Sequence, residues 1–93
     1  MTKFKKDLHK NIGTETISSL SSSKGLTIPV GAEYATFQAE TQNVRMRDDG
    51  TAPTASTGFK LEKNLIYNYY GELDLVNFIE ETASATINIS YYS

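Results

Sequence analysis

The sequence predicts an all-β fold, a small single-domain β-sandwich or jelly-roll-like unit with an extended N-terminal arm. Three observations carry that prediction. Apolar and polar residues alternate with a period of two in several segments, the segments recur roughly every 8–12 residues, and turn-forming residues separate them. At 93 residues the chain holds one domain, because domains typically run to about 100–150 residues.

The reading divides the chain into an arm, residues 1–11, and a sandwich, residues 12–93. The arm sets Lys3, Lys5, Lys6 and Lys10 against Asp7, a balance of +3 in a chain of net charge −2, so the body is acidic. Ile12 to Leu20, rich in threonine and serine, reads as an edge strand. Serine hydroxyls compete for backbone groups, so Ser18, Ser19 and Ser21 to Ser23 with Lys24-Gly25 read as a turn, a solvated edge or a flexible linker. Leu26-Thr27-Ile28 is a short strand stopped by Pro29, and Gly31 turns the chain after it.

Tyr34 to Glu40 alternates cleanly, with Ala35, Phe37 and Ala39 on one face and Tyr34, Thr36, Gln38 and Glu40 on the other. Val44 and Met46 alternate with Arg45 and Arg47 and run into Asp48-Asp49-Gly50, a tight-turn signal because glycine tolerates positive φ. Thr51 to Gly58 has no large apolar residue and reads as a surface loop. Phe59-Lys60-Leu61, Leu65 to Tyr70 and Leu75 to Ile79 supply three more strands, the second ended by Gly71. Thr86 to Tyr92 closes the fold, with Ile87, Ile89 and Tyr91 turned inward. Residues 3–10 are too short and polar for a packed helix, and Glu72 to Glu81 has the β-branched and aromatic content of a strand as much as a helical pattern.

Composition narrows the function classes. There is no cysteine, which removes disulfides, thiolate nucleophiles and cysteine-rich zinc sites. A domain of this size buries only about 60–65% of the surface of its unfolded chain, so contacts with a partner are expected. No apolar run approaches the roughly 20 residues that cross a bilayer, and no apolar stretch follows the first lysines as in a secretory signal. His9, the single histidine, sits in the arm, where nothing holds it within hydrogen-bond reach of a substrate. Phosphate-loop, dinucleotide and serine-hydrolase motifs are absent. Asp48 and Asp49 lack calcium-loop spacing and read as turn residues, and Glu80-Glu81 as a solvated strand end. A paired-carboxylate glycosidase would need a longer groove than this chain can enclose. The expectation is a protein without catalytic activity, metal or cofactor. Nucleic acid is not expected as a partner either, since the arm offers lysines but no arginine.

Tyrosine is the informative residue. Six tyrosines in 93 residues, with Tyr67, Tyr69 and Tyr70 on one segment and Tyr91-Tyr92 at the end, exceed what a core this small can hold. Adjacent strand residues point to opposite faces, so one of each adjacent pair faces outward. Exposed tyrosine favours protein interfaces, where it brings contact area at little cost in rotamer entropy. Sugar-binding faces rely on tryptophan as well, and there is none. The candidate interface residues are therefore Lys3, Lys5 and Lys6 of the arm, Arg45, Arg47, Asp48 and Asp49 before the loop, and Tyr67, Tyr69, Tyr70 and Tyr92. The arm is expected to order on a partner by strand addition or along an acidic groove.

Gly25-Leu26-Thr27-Ile28-Pro29, Gly31-Ala32, Gln38-Ala39-Glu40, the run from Val44 to Ser56 (VRMRDDGTAPTAS) with Gly58, and Ala85 to Tyr92 together resemble a group of small tailed-bacteriophage proteins. The similarity covers about residues 25–92. It implies a non-enzymatic component of the virion, made in the host cytoplasm and present as a homo-oligomer or in several copies in the particle. The implied partners are other virion proteins, with a decoration or cement role on the major capsid protein placed first. A neck or tail position and a receptor- or carbohydrate-binding module are the alternatives.

Overall fold

A computed structural model describes residues 9–93. Among the described residues eight strands form: β1 (Asn11–Ile17), β2 (Lys24–Gly25), β3 (Tyr34–Glu40), β4 (Val44–Arg47), β5 (Phe59–Leu61), β6 (Ile66–Tyr69), β7 (Asn77–Glu80) and β8 (Thr86–Tyr92). A 3-10 turn, Leu73–Leu75, precedes β7. The strands build two four-stranded sheets, ordered β1-β8-β3-β6 and β2-β7-β4-β5, and every pairing is antiparallel. The expected all-β sandwich is what the chain forms.

Alternation explains the core. Ala35, Phe37 and Ala39 of β3 and Ile87, Ile89 and Tyr91 of β8 are all buried, as their period-two spacing requires. The second sheet contributes Val44, Met46, Leu61 and Phe78 to the same cluster. Phe37 meets Phe78 edge to face across the sheets, ring centroids 5.1 Å apart, and Tyr69 stacks on the other side of Phe37 at 5.4 Å. Edge-to-face geometry sets the positive ring edge against the negative face, which contributes about 0.5–1.5 kcal/mol beyond area burial.

The boundaries depart from the sequence reading where tertiary contacts outweigh local pattern. The arm ends sooner than residue 11, because the Lys10 N–H donates to Ser93 O at 3.2 Å and the Ser93 N–H donates back at 3.0 Å, and Asn11 already opens β1. Residues 1–8, with Lys3, Lys5 and Lys6, lie outside the described residues. The first strand stops at Ile17, not Leu20. The chain then turns through Ser19 at φ 56°, which drops Leu20 into the core with no exposure. Leu26-Thr27-Ile28 forms no strand, because the Thr27 N–H donates to the Glu15 carboxylate at 2.8 Å and is lost to any ladder. Lys24–Gly25 pairs with β7 instead.

The Asp48-Asp49-Gly50 turn does not close a tight hairpin. β4 and β5 pair with Met46 opposite Phe59, and residues 48–58 form a long connection between them. That connection is tied down by reciprocal Thr54 and Thr57 backbone bonds of 3.2 Å and by the burial of Pro53. It ends at Gly58, whose φ of 115° and close approach to the Met46 carbonyl (2.8 Å from where a Cβ would stand) admit no side chain.

Truncating Phe37 removes the ring that touches both Phe78 and Tyr69. Phe37→Ala is expected to destabilise the domain by about 3–5 kcal/mol, a large part of the stability such a domain has. Urea unfolding followed by circular dichroism measures it.

Candidate binding surface

The outer face of the β1-β8-β3-β6 sheet follows from the same alternation that fills the core. β3 presents Tyr34, Thr36 and Gln38, and β8 presents Thr86, Asn88, Ser90 and Tyr92. β1 adds Thr14 and Thr16, and β6 adds Ile66 and Asn68. Glu40, at the end of β3, is the one charged residue among the outward positions of these strands. The rest are hydroxyls, amides, tyrosines and one isoleucine, a composition that makes adaptable hydrogen bonds and large apolar contacts without desolvating charge.

Tyr34 organises the aromatic part. Its register partner is Tyr92, and the two rings stack at 4.9 Å with an interplanar angle of 12°. Tyr70 packs on Tyr34 at 4.9 Å and 31°, and His9 meets it edge-on at 4.9 Å. Burial raises the Tyr34 phenol above its ordinary value, and neighbouring Tyr70 and Tyr92 add to the rise. Beside this platform lies a shallow groove of about 300 Å³ lined by Thr36, Gln38, Ile66, Asn88, Ser90 and Tyr92. Thr16 donates to the Asn88 amide oxygen at 2.8 Å and fixes which way that amide faces.

The expected site residues separate into three groups. Tyr70 and Tyr92 lie on this outer face, and Tyr70 is 70% exposed. Tyr67 and Tyr69 do not join them. Their register partners are Phe37 and Ala35, so both rings turn inward. The Tyr69 hydroxyl donates to Asp48 at 2.8 Å, and the Tyr67 oxygen accepts the Glu62 N–H at 3.0 Å. A side chain at Gly71 would collide with the Tyr69 hydroxyl, which explains the glycine just beyond the strand. Tyr91, the inward member of the terminal pair, donates to Glu15 at the edge of the core. Burial is the first cause raising its pKa, and the Glu15 hydrogen bond is the second.

Arg45, Arg47, Asp48 and Asp49 occupy the opposite sheet or the connection leaving it, and they do not form one cluster. Arg45 pairs with Glu81 at 2.7 Å and donates to the Gly58 carbonyl at 3.0 Å. Arg47 grips Asp49, whose carboxylate also accepts the Thr51 N–H at 3.1 Å. Those bonds hold the Asp49 carboxyl well below the usual range, the Arg47 hydrogen bond being the strongest cause. Asp48 is taken by Tyr69. Glu81 is raised by partial burial, but Asn43, Arg45 and Lys60 outweigh that and lower it on balance. Each charge is answered within the molecule, so this group orders the 48–58 connection. The exposed Arg47–Asp49 pair adds little to stability, because solvent screens it.

Sequence reasoning turned Tyr34, Thr36, Gln38, Asn88 and Ser90 away from the core but did not name them as interface residues. Their alternation was visible, but only register brings Tyr34 beside Tyr92 and gives the face its aromatic centre.

Burial, and then the Asp48 hydrogen bond, push the Tyr69 phenol up to about 12 from 10.0. A folded-state value above the unfolded one means that this contribution to stability is complete below pH 10 and disappears as pH rises through about 12. Spectrophotometric titration should show one phenol ionising near pH 12, and Asp48→Asn should bring it down. No protein-family model, no curated protein and no solved structure matches this chain.

Proposed function

We propose that the chain is a non-enzymatic structural subunit of a bacteriophage virion, a capsid decoration or cement protein, docking on neighbouring capsid subunits through the outer face of the β1-β8-β3-β6 sheet. The observation that carries the docking face is its composition. A broad sheet surface has a stacked tyrosine centre, hydroxyls and amides around it, and a single carboxylate at its border. Such surfaces suit protein contacts because tyrosine loses little entropy on binding and neutral polar groups exchange water for partner at low cost.

Two further features support the virion setting. The motif resemblance of residues 25–92 to small tailed-phage proteins is one. The strand order is the other, since β1-β8-β3-β6 facing β2-β7-β4-β5 matches the order in which a jelly roll lays out its eight strands, an architecture used by viral capsid and lectin domains. A neck or tail position uses the same face. The lectin association gives a second reading some footing, because Tyr92 borders the groove that Gln38 and Asn88 also line, and an aromatic ring with amides nearby is an arrangement on which a sugar ring stacks and hydrogen-bonds.

Binding of the purified chain to particles lacking it tests the reading. Tyr70→Ala, at an exposed position, should weaken binding by about 30-fold if the tyrosine is an anchor. Ser90→Arg, which places a charge at the centre of the face, should abolish it, while Lys60→Glu on the opposite sheet should leave it intact. Recognition of glycans on an array without particle binding would favour the sugar reading.

A further inference from the structure

The four edges of the sandwich are not alike. On β1 the register slips between Asn11 and Gly13, Glu15 turns its carboxylate inward to take the Thr27 N–H, and Pro29 lies against Gly13. Bulges, inward charges and covering segments are the means by which an edge is kept from pairing with another chain. β2 is two residues long, and the chain beside it is held by the Glu80 N–H donating to Leu20 O at 2.9 Å. β5 is three residues long and carries Lys60. β6 has none of these guards.

Its register against β3 is unbroken, and Leu65 to Tyr70 contains no charge and no proline. No described strand lies on its other side, so one row of its N–H and C=O groups faces outward. Large apolar side chains gather there, Leu65 at 51%, Ile66 at 70% and Phe59 at 67% exposure. Between β5 and β6 the two sheets part in an open cleft of about 350 Å³, bordered by Phe37, Met46, Phe59 and Leu61. The opposite side of the sandwich, by contrast, is filled by Leu20, Leu26 and Ile28.

We propose that β6 pairs antiparallel with β6 of a second copy of this chain, so that the β1-β8-β3-β6 sheet continues through a two-fold axis into its copy. Charge selects this occupant. The edge is neutral along the strand, so identical edges meet without like-charge repulsion, and a basic or acidic peptide finds no counter-charge along it. At the ends, antiparallel pairing brings the turn holding Lys63 to the Gly71-Glu72 end of the other copy. Lys63 makes no ion pair among the described residues, and the pairing sets it beside Glu72 of the second copy. A two-fold contact of this kind closes on itself, buries Ile66 and Leu65 twice, and satisfies the outward row of β6 backbone groups. It leaves the tyrosine face open and doubles its extent, so it stands or falls independently of what that face binds.

Sedimentation equilibrium of the full chain across micromolar to millimolar concentrations tests the pairing. The wild-type chain should reach a dimer and go no further. Ile66→Lys with Asn68→Lys, confirmed folded by circular dichroism, should weaken association by about tenfold or more, whereas Thr14→Lys on β1 should not change it. Because the chain has no cysteine, Ile66→Cys with Asn68→Cys should give a covalent dimer on oxidation, and this readout decides the matter if the lysine variant does not fold. A wild-type chain that stays monomeric, association unaffected by the lysines, or a cysteine pair that yields no covalent dimer would overturn the pairing.

Discussion

The register between β3 and β8 is the constraint on which the rest of the structure depends. These strands lie at the centre of their sheet and pair over seven positions, from Tyr34 opposite Tyr92 to Glu40 opposite Thr86. In that register Ala35, Phe37, Ala39, Ile87, Ile89 and Tyr91 share one face, and the polar residues share the other. A slip of one residue would turn an entire strand over, exposing the apolar set and burying threonine, glutamine and asparagine. The cost of that exchange holds the register. The candidate binding face is thus the complement of the core, and Tyr34 and Tyr92 stack because the pairing that buries Phe37 and Ile89 also brings them level.

The two sheets divide the work of the surface. On the β2-β7-β4-β5 side both arginines are engaged within the molecule: Arg45 with Glu81 and Gly58, Arg47 with Asp49. Their effect is to order a connection that would otherwise have only small and polar residues to hold it. On the other side neutral groups predominate and remain available. A partner displaces little bound charge there, which makes that side the less costly one to cover.

Legibility in the sequence tracked how local the determining interaction is. β3, β4, β5 and β8 were readable because alternation alone specifies which face is buried, and the bounds of β3 and β8 agree with the pattern. β2 and the Leu73–Leu75 turn were not. The first depends on pairing with Asn77 and Phe78, more than fifty residues away, the second on a local backbone turn that Leu73-Asp74-Leu75 does not announce. The site showed the same division. That one tyrosine of each adjacent pair faces outward follows from adjacency; register decides that these are Tyr70 and Tyr92. Tyr67 and Tyr69, named among the interface residues, turn inward, and the sequence does not reveal that β6 is an edge with room beneath it for two rings. Asp48 and Asp49 look equivalent beside the arginines, yet one serves Tyr69 of the facing sheet and the other Arg47.

Strand register sets the core and leaves a neutral, tyrosine-centred sheet face, the face proposed to dock against another protein. A reconstruction of the assembled particle at a resolution that separates strands tests that claim most directly. The account predicts density for this sandwich on the particle, with Tyr34, Tyr70 and Tyr92 against a neighbouring subunit and the Arg45 and Arg47 side turned to solvent. A particle without the sandwich, or one that holds it by the charged sheet, would contradict it.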